Sequence, residues 1–159
     1  MLLLLSLLTA CGDAPQAAPE ASALEPAQDK TAPGLAQELV VQEPRIRMMP
    51  PGAPNTGAFM TLKNPGPDSA LVAAHADISR AVELHTHVSE GGVMRMRQVP
   101  EISLPSGEPV VLEPGGLHVM FIGLKAPLSE GQQVPVRLEL ADGSSVEVII
   151  PVRKIEVGH

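Results

Sequence analysis

The fold and the chemistry of this chain are both decided by residues 80–124, RAVELHTHVSEGGVMRMRQVPEISLPSGEPVVLEPGGLHVMFIGL. In a β-strand, residues i and i+2 point to the same face of the sheet. Each pair of ligands spaced in this way can therefore present two donor atoms on one side of its strand, and three neighbouring strands can gather imidazoles and thioethers into one cluster. Three short apolar segments in the stretch carry such pairs, which are His85 with His87, Met94 with Met96, and His118 with Met120.

The composition limits both the core and the partners. Of the 159 residues, 44% are hydrophobic, but Phe59 and Phe121 are the only aromatic ones, so the core has to be aliphatic and methionine-rich. The net charge of −7 argues against a nucleic-acid partner, because such proteins need basic patches. Cys11 is the single cysteine, which excludes an internal disulfide and also a blue-copper site within the domain, since that site needs a thiolate.

Short β-like runs separated by Pro, Gly, Asn and Asp fill residues 37–152 and predict an all-β sandwich. No helical pattern is visible, and residues 153–159 are expected to be a short solvated tail. The predicted strands are 38–47, 58–64, 70–77, 81–88, 93–99, 109–112, 117–124, 134–140 and 146–152.

The N-terminal region predicts export and anchoring. The apolar run LLLLSLLTA at residues 2–10 is shorter than the roughly 20 residues of a membrane-spanning helix, so residues 1–10 are interpreted as a signal peptide. It ends in LTAC, which resembles a bacterial lipobox and predicts lipidation at Cys11; an ordinary cleaved signal is the alternative. Residues 11–36, rich in Ala, Pro, Glu and Gln, are expected to be a disordered linker.

The pattern alone does not decide whether the three ligand faces meet. Neither face of residues 93–99 is cleanly apolar, so the buried side of that strand is undecided. A single Met or His in a strand is usually core filler or solvated, but here three of five histidines and three of seven methionines fall in one stretch in i, i+2 pairs. Glu83 lies near His85 and is expected to be a solvated charge rather than its hydrogen-bond partner.

The remaining methionines and histidines are weighed separately. Met60, within AFMTL, fits a core position. Met48 and Met49 lie beside two prolines, where they either line the rim of a site or are simply exposed. His75 and His159 have no partner at ligand spacing and are expected to be structural or solvated.

The donor types predict the metal. Thioether sulfur is soft and uncharged and selects Cu(I), so two histidines with two methionines would form a Cu(I) site. His85, His87 and His118 together would instead form a zinc or Cu(II) site. Only the imidazoles bind protons in the physiological range, and affinity should therefore weaken below about pH 6.5.

The spacing H-x10-M-x21-H-x-M, formed by His85, Met96, His118 and Met120, resembles the signature of the PCuAC family of periplasmic copper chaperones. The segments VELH, GVMRMR and LEPGGLHVMFIGLK are also similar to that family, and the resemblance covers roughly residues 40–152. It implies a cupredoxin-like Greek-key β-sandwich that binds one Cu(I) through these four residues. The family often has Met at the position of His87, which makes His87, like Met94, a candidate additional ligand.

The function implied by the resemblance is transfer rather than catalysis. A lipid-anchored, extracytoplasmic or periplasmic domain would pass Cu(I) by ligand exchange to the CuA site of cytochrome c oxidase or to a Sco-type protein, with no catalytic residue involved. The alternatives are a copper-sequestering or resistance protein, a zinc-dependent enzyme that uses the three histidines, and an adhesion or structural sandwich without metal.

Overall fold

A computed structural model describes residue 36 and residues 38–154, which form ten β-strands without an α-helix. The predicted signal peptide, Cys11, most of the linker and the end of the tail lie outside the described residues. Within this described part, no helix is long and apolar enough to span a membrane. The strands are β1 (Val40–Arg47), β2 (Asn55–Lys63), β3 (Ser69–His75), β4 (Ser79–Glu90), β5 (Val93–Gln98), β6 (Ile102–Leu104), β7 (Pro109–Leu112), β8 (His118–Leu124), β9 (Gln133–Leu140) and β10 (Ser145–Arg153).

The strands are hydrogen-bonded in the order β5-β4-β8-β2-β1-β10-β9-β3-β6, with β7 also paired to β2. All of these pairs are antiparallel except β1 with β10, where Ile46 lies beside Val152 and Arg47 beside Arg153. This parallel contact joins a layer built from β1, β2, β4, β5, β7 and β8 to a layer built from β3, β6, β9 and β10. The predicted β-sandwich is confirmed.

One aliphatic core lies between the two layers. β9 shows the pattern that builds it, because the side chains at alternate positions are buried while those between them are mostly exposed. Met60 is only 1% exposed, as expected for a core residue. Burying each large side chain contributes about 1.5–3 kcal/mol. The largest fully buried side chains are Phe121, Ile46, Met60, Leu62, Leu71, Ile102, Leu104, Leu112, Leu138, Leu140, Ile150 and Val119.

Nine of the ten strands overlap predicted ones, and the missed one is β6. Its three residues, between Pro100 and Pro105, are too few to show alternation, but Ile102 and Leu104 are buried and β6 pairs with β3. Ala36 is also buried, and its N–H donates to Ser144 Oγ at 3.1 Å.

β4 is longer than predicted and continues into a hairpin with β5. The two residues of the turn, Gly91 and Gly92, have φ values of 61° and 80°. A two-residue type I′ turn requires positive φ at both positions, which favours glycine. The turn places Glu90 opposite Val93 and thereby fixes the register of the whole hairpin.

Candidate metal centre

The strand register brings the three ligand pairs onto one face. Residues directly opposite each other on neighbouring strands point to the same side of a sheet. His118 lies opposite His85, Met96 lies opposite His87, and Met94 lies opposite Ser89. The ligand faces of β4, β5 and β8 are therefore one surface, which the sequence pattern could not establish.

This surface is the outer face of its layer. Three residues at the alternate positions of these strands point the other way and are buried in the sandwich core, namely Leu84 on β4 with Val119 and Phe121 on β8. Substitutions on the ligand face should consequently affect the core only through the backbone.

A cleft of about 570 Å³ opens on this face. His87, Met96, His118 and Met120 are among the side chains that line it. His85 is not in its wall, but its ring centroid is 5.8 Å from that of His118. The structure thus gathers three of the four signature side chains, together with His87, around the cleft and places the fourth directly beside them.

Met94 is more distant from the cleft than the other candidates. Its side chain is 57% exposed and does not line the cleft, although it shares the face of Met96. All six residues of β5 are exposed, so neither face of this strand is buried. On the opposite face, Glu90 pairs with Arg97 at 2.8 Å and with Arg95 at 3.6 Å.

The loop before β8 determines which nitrogen of His118 is free. Gly115 has a φ of 86°, and the N–H of Gly116 donates to the carbonyl of Glu113 at 3.0 Å, which closes a turn with proline in its second position. The carbonyl of Gly116 then lies 3.0 Å from Nδ1 of His118. Because a carbonyl can only accept, Nδ1 must carry the proton, and the lone pair of this ring is on Nε2.

His118 is closely packed although it lines the cleft. It is only 3% exposed, and its ring lies 6.1 Å from that of Phe59 and stacks on His87 at 5.3 Å, measured between centroids. Burial lowers the pKa of His118 below its usual 6.5, and the neighbouring His87 and His85 lower it further, while the bond to Gly116 acts in the opposite direction. The imidazole therefore stays in the neutral, metal-binding form to lower pH than an ordinary histidine.

In His85 the proton is on the other ring nitrogen than in His118. Its Nε2 lies 2.8 Å from Oε2 of Glu83, and a carboxylate at neutral pH can only accept, so the proton is on Nε2. Its Nδ1 is buried without a hydrogen-bond partner, which is costly unless another group binds it. The expectation that Glu83 is merely solvated was wrong, because the i, i+2 spacing on β4 brings its carboxylate to a ring that is 13% exposed.

These donors fit a soft cation better than zinc. Among residues 36 and 38–154, no three His, Cys, Asp or Glu side chains form a group able to hold a metal ion. Beside the imidazoles, this face offers the thioethers of Met96 and Met120 as metal-binding donors. Two neutral nitrogens with two thioethers are a donor set that favours Cu(I).

Sequence reasoning left two participants unassigned. Met49, in the loop after β1, lines the cleft, whereas Met48 packs against the core. Gly57 lies opposite Met120, and a Cβ atom there would come within 3.1 Å of Phe59. No spacing rule connects Met49 or Gly57 to the distant ligands. The pairing of β2 with β8 brings Gly57 to the site, and the loop after β1 brings Met49 there.

The sequence model of the LpqE-like family, described as "Putative lipoprotein LpqE-like", matches residues 39–152. The chain belongs to the LpqE-like family. "Putative lipoprotein Lxx21020" of Leifsonia xyli subsp. xyli is 38% identical over 104 residues, which are 64% of this chain and 63% of that protein. The chain thus spans less than two thirds of the length of this relative.

Solved structures of PCuAC domains share the fold of this LpqE-like domain. The Cu(I)-bound DR1885 of Deinococcus radiodurans is 32% identical, with a TM-score of 0.63 over 79% of this chain and 85% of that one. The copper-bound PCuAC domain from PmoF2 is 19% identical, with a TM-score of 0.62 over 74% of this chain and 93% of that domain. At this identity the similarity shows a shared fold only. The predicted PCuAC resemblance and cupredoxin-like fold are confirmed.

Proposed function

We propose that this LpqE-like domain is an extracytoplasmic copper chaperone, and not an enzyme, that carries one Cu(I) ion as its cargo. The ligands proposed are His85, Met96, His118 and Met120. The related DR1885 at 32% identity is described as Cu(I)-bound, which supports the choice of metal. The neutral nitrogen and sulfur donors on one sheet face support it independently.

The observation that carries the proposal is the pair of uncommitted imidazole nitrogens. Nδ1 of His85 is buried without a partner, and Nε2 of His118 is the lone-pair nitrogen of a ring 5.8 Å away between centroids. Both rings have their N–H groups bound by protein oxygens, so neither has to be rearranged before it accepts a metal.

Transfer follows from the exposure of one side of the site. Met96 is 44% exposed at the cleft, whereas His118 is buried, so an entering ligand can reach a metal here from the methionine side. A thiolate or thioether of the acceptor would replace the thioether of Met96 first, because this donor is the exposed one. Copper stays Cu(I) throughout. The acceptors proposed are the CuA subunit of cytochrome c oxidase and a Sco-type protein.

We also propose that Cys11 anchors the domain to the membrane through a lipid. The support is the LTAC motif together with the lipoprotein description of the relative that is 38% identical. The measurement is incorporation of labelled fatty acid into the full chain in cells, with Cys11→Ala as the unlabelled control. Equal labelling of both chains would contradict the anchor but not the copper site.

The metal site is tested by titrating Cu(I) into the full chain against a colorimetric chelator, with X-ray absorption at the copper edge. Cys11→Ala is used throughout, so that no free thiol competes. We expect one tightly bound Cu(I) with nitrogen and sulfur scattering, and its loss in the double variant Met96→Leu, Met120→Leu. Binding that is indifferent to both methionines would refute the site. Zinc binding retained by the double variant would instead favour the three histidines.

A second experiment separates delivery from sequestration. The copper-loaded chain is mixed with a metal-free CuA subunit or Sco-type protein, the two are separated, and copper is counted in each. A chaperone loses its copper to the acceptor within minutes and faster than to buffer alone. Copper retained by this chain in the presence of excess acceptor would establish sequestration instead.

A further inference from the structure

Glu83 occupies a central position in the ligand face. It lies on β4 two residues before His85 and directly opposite Met120 on β8, while His85 lies opposite His118. Its carboxylate and the His85 ring are 2.8 Å apart, with side chains 30% and 13% exposed. This pair is thus enclosed by two of the proposed copper ligands rather than located on an open surface.

The hydrogen bond dictates the tautomer of His85. A neutral imidazole has one N–H, and the carboxylate draws it to Nε2, which leaves the lone pair on the buried Nδ1. In His118 the N–H is on Nδ1 instead, bound by the carbonyl of Gly116. The two rings are therefore held as opposite tautomers by oxygen acceptors of different charge.

We propose that Glu83 is a positioning residue that holds His85 so that it binds Cu(I) through Nδ1, while His118 binds through Nε2. This inference rests on the proposed function. The negative carboxylate also makes the ring a better donor and offsets part of the positive charge of the metal, and outer partners of this kind change metal affinity by about 10–100-fold.

The chain contains a matched pair for comparison. His75 and Glu139 form the same contact between Nε2 and Oε2 at 3.3 Å, on β3 and β9, with side chains 50% and 41% exposed. Exposed ion pairs contribute little. If the bond of Glu83 were only another ion pair of this kind, removing either carboxylate would have the same small effect.

The test is long-range ¹H–¹⁵N NMR of the histidine rings in the full chain with Cys11→Ala, before and after addition of Cu(I), which is diamagnetic. Without metal, the spectra should show the N–H on Nε2 of His85 and on Nδ1 of His118. With metal, the large ¹⁵N shifts should appear on Nδ1 of His85 and on Nε2 of His118.

Three variants complete the experiment, each with Cu(I) affinity and thermal stability measured. Glu83→Ala should lower the affinity by about 10–100-fold. Glu83→Gln, which keeps an oxygen acceptor without the charge, should preserve the tautomer and lose less affinity. The control Glu139→Ala should leave both the affinity and the copper-induced shifts unchanged.

The outcomes separate this inference from the proposed function. A copper-induced shift on Nε2 of His85, or a Glu83→Ala chain with unchanged affinity and lower stability only, would overturn the role of Glu83 and leave the copper site standing. No copper-induced shift on either ring of the wild-type chain would overturn the proposed function itself. The wild-type spectra decide the ligating atom even if Glu83→Ala fails to fold.

Discussion

Gly57 provides a direct test of how the sheet supports the metal centre. It is buried on β2, on the ligand face opposite Met120. A methyl group at this position would lie 3.1 Å from Cζ of Phe59 and 3.7 Å from Cδ2 of His118. Carbon atoms in favourable contact are about 3.5–4.0 Å apart. Gly57→Ala therefore requires the tip of the Phe59 ring to retreat by about 0.4 Å.

The cost of this retreat can be bounded. Phe59 lines the cleft but is only 5% exposed, and its ring packs on His118, so a retreat of the ring would disturb that contact. Overpacking of this kind costs about 1–3 kcal/mol. Replacing glycine by alanine returns about 0.4–1 kcal/mol by restricting the unfolded chain. We expect Gly57→Ala to destabilise the domain by about 1–2 kcal/mol, within these ranges.

A double-mutant cycle with Phe59→Leu isolates the clash, because leucine lacks Cζ. In that background only the effect on the unfolded chain remains, and Gly57→Ala should stabilise the domain by about 0.4–1 kcal/mol. The coupling energy should then equal the overpacking cost of about 1–3 kcal/mol. The free energy of unfolding is measured with urea and far-UV circular dichroism, since the chain has no Trp or Tyr for fluorescence. The measurement uses the metal-free chain.

The reasoning would be refuted if Gly57→Ala had the same effect in both backgrounds, or if it stabilised the wild-type chain. The first result would mean that the methyl group does not meet Phe59. The second would mean that a methyl group fits on this face of β2 although its distance of 3.1 Å from Cζ of Phe59 indicates a clash. A weaker Cu(I) affinity in Gly57→Ala, restored in the double variant, would extend the same coupling to His118.

Three further predictions concern the site. Met96→Leu should weaken Cu(I) binding at least tenfold. Met94→Leu, which changes a residue on the same face of the same exposed strand, should keep the affinity. Both variants should have a free energy of unfolding in urea within about 0.5 kcal/mol of that of the wild-type chain. Met49→Leu should leave the affinity within a few-fold but slow the release of Cu(I) to a chelator in stopped-flow experiments, because Met49 lines the cleft as an extra thioether. Burial lowers the pKa of His118 in the folded domain below its value in the unfolded chain. As the pH drops below 6.5, the unfolded chain therefore takes up a proton that the folded domain does not. The free energy of unfolding of the metal-free domain, measured with urea, should consequently fall. His118→Gln should flatten this dependence, and an unchanged pH slope would contradict it.

The strand content and the ligand pairs were predictable because both depend on local alternation. Residues i and i+2 of a β-strand share one face in any tertiary structure. This holds for His85 with His87 and for His118 with Met120. The core position of Met60 followed in the same way from the apolar residues around it.

The rest depends on register and on side-chain partners, which local pattern does not contain. The two-residue turn at Gly91 and Gly92 places Met96 opposite His87, and a shift by one residue would turn it to the face of Arg95 and Arg97. The i, i+2 spacing on β4 puts Glu83 within reach of His85, but whether its carboxylate meets the ring depends on the side-chain rotamers, which the sequence does not specify.

The location of the proposed copper site on the outer face of its layer would allow one small domain to combine a stable fold with a metal ion that can be transferred. The sandwich core is buried on the inner face of β4 and β8, so most of the apolar burial that stabilises the fold lies away from the ligand face. On the outer face, the histidines are fixed by protein oxygens at 2.8 and 3.0 Å, while Met96 lies on a strand that is exposed along its whole length. In the proposed site, the rigid nitrogen side would retain the ion, and the accessible sulfur side would allow another protein to take it. Tight packing around Met96 would strengthen binding at the expense of transfer, and a chaperone requires the opposite balance.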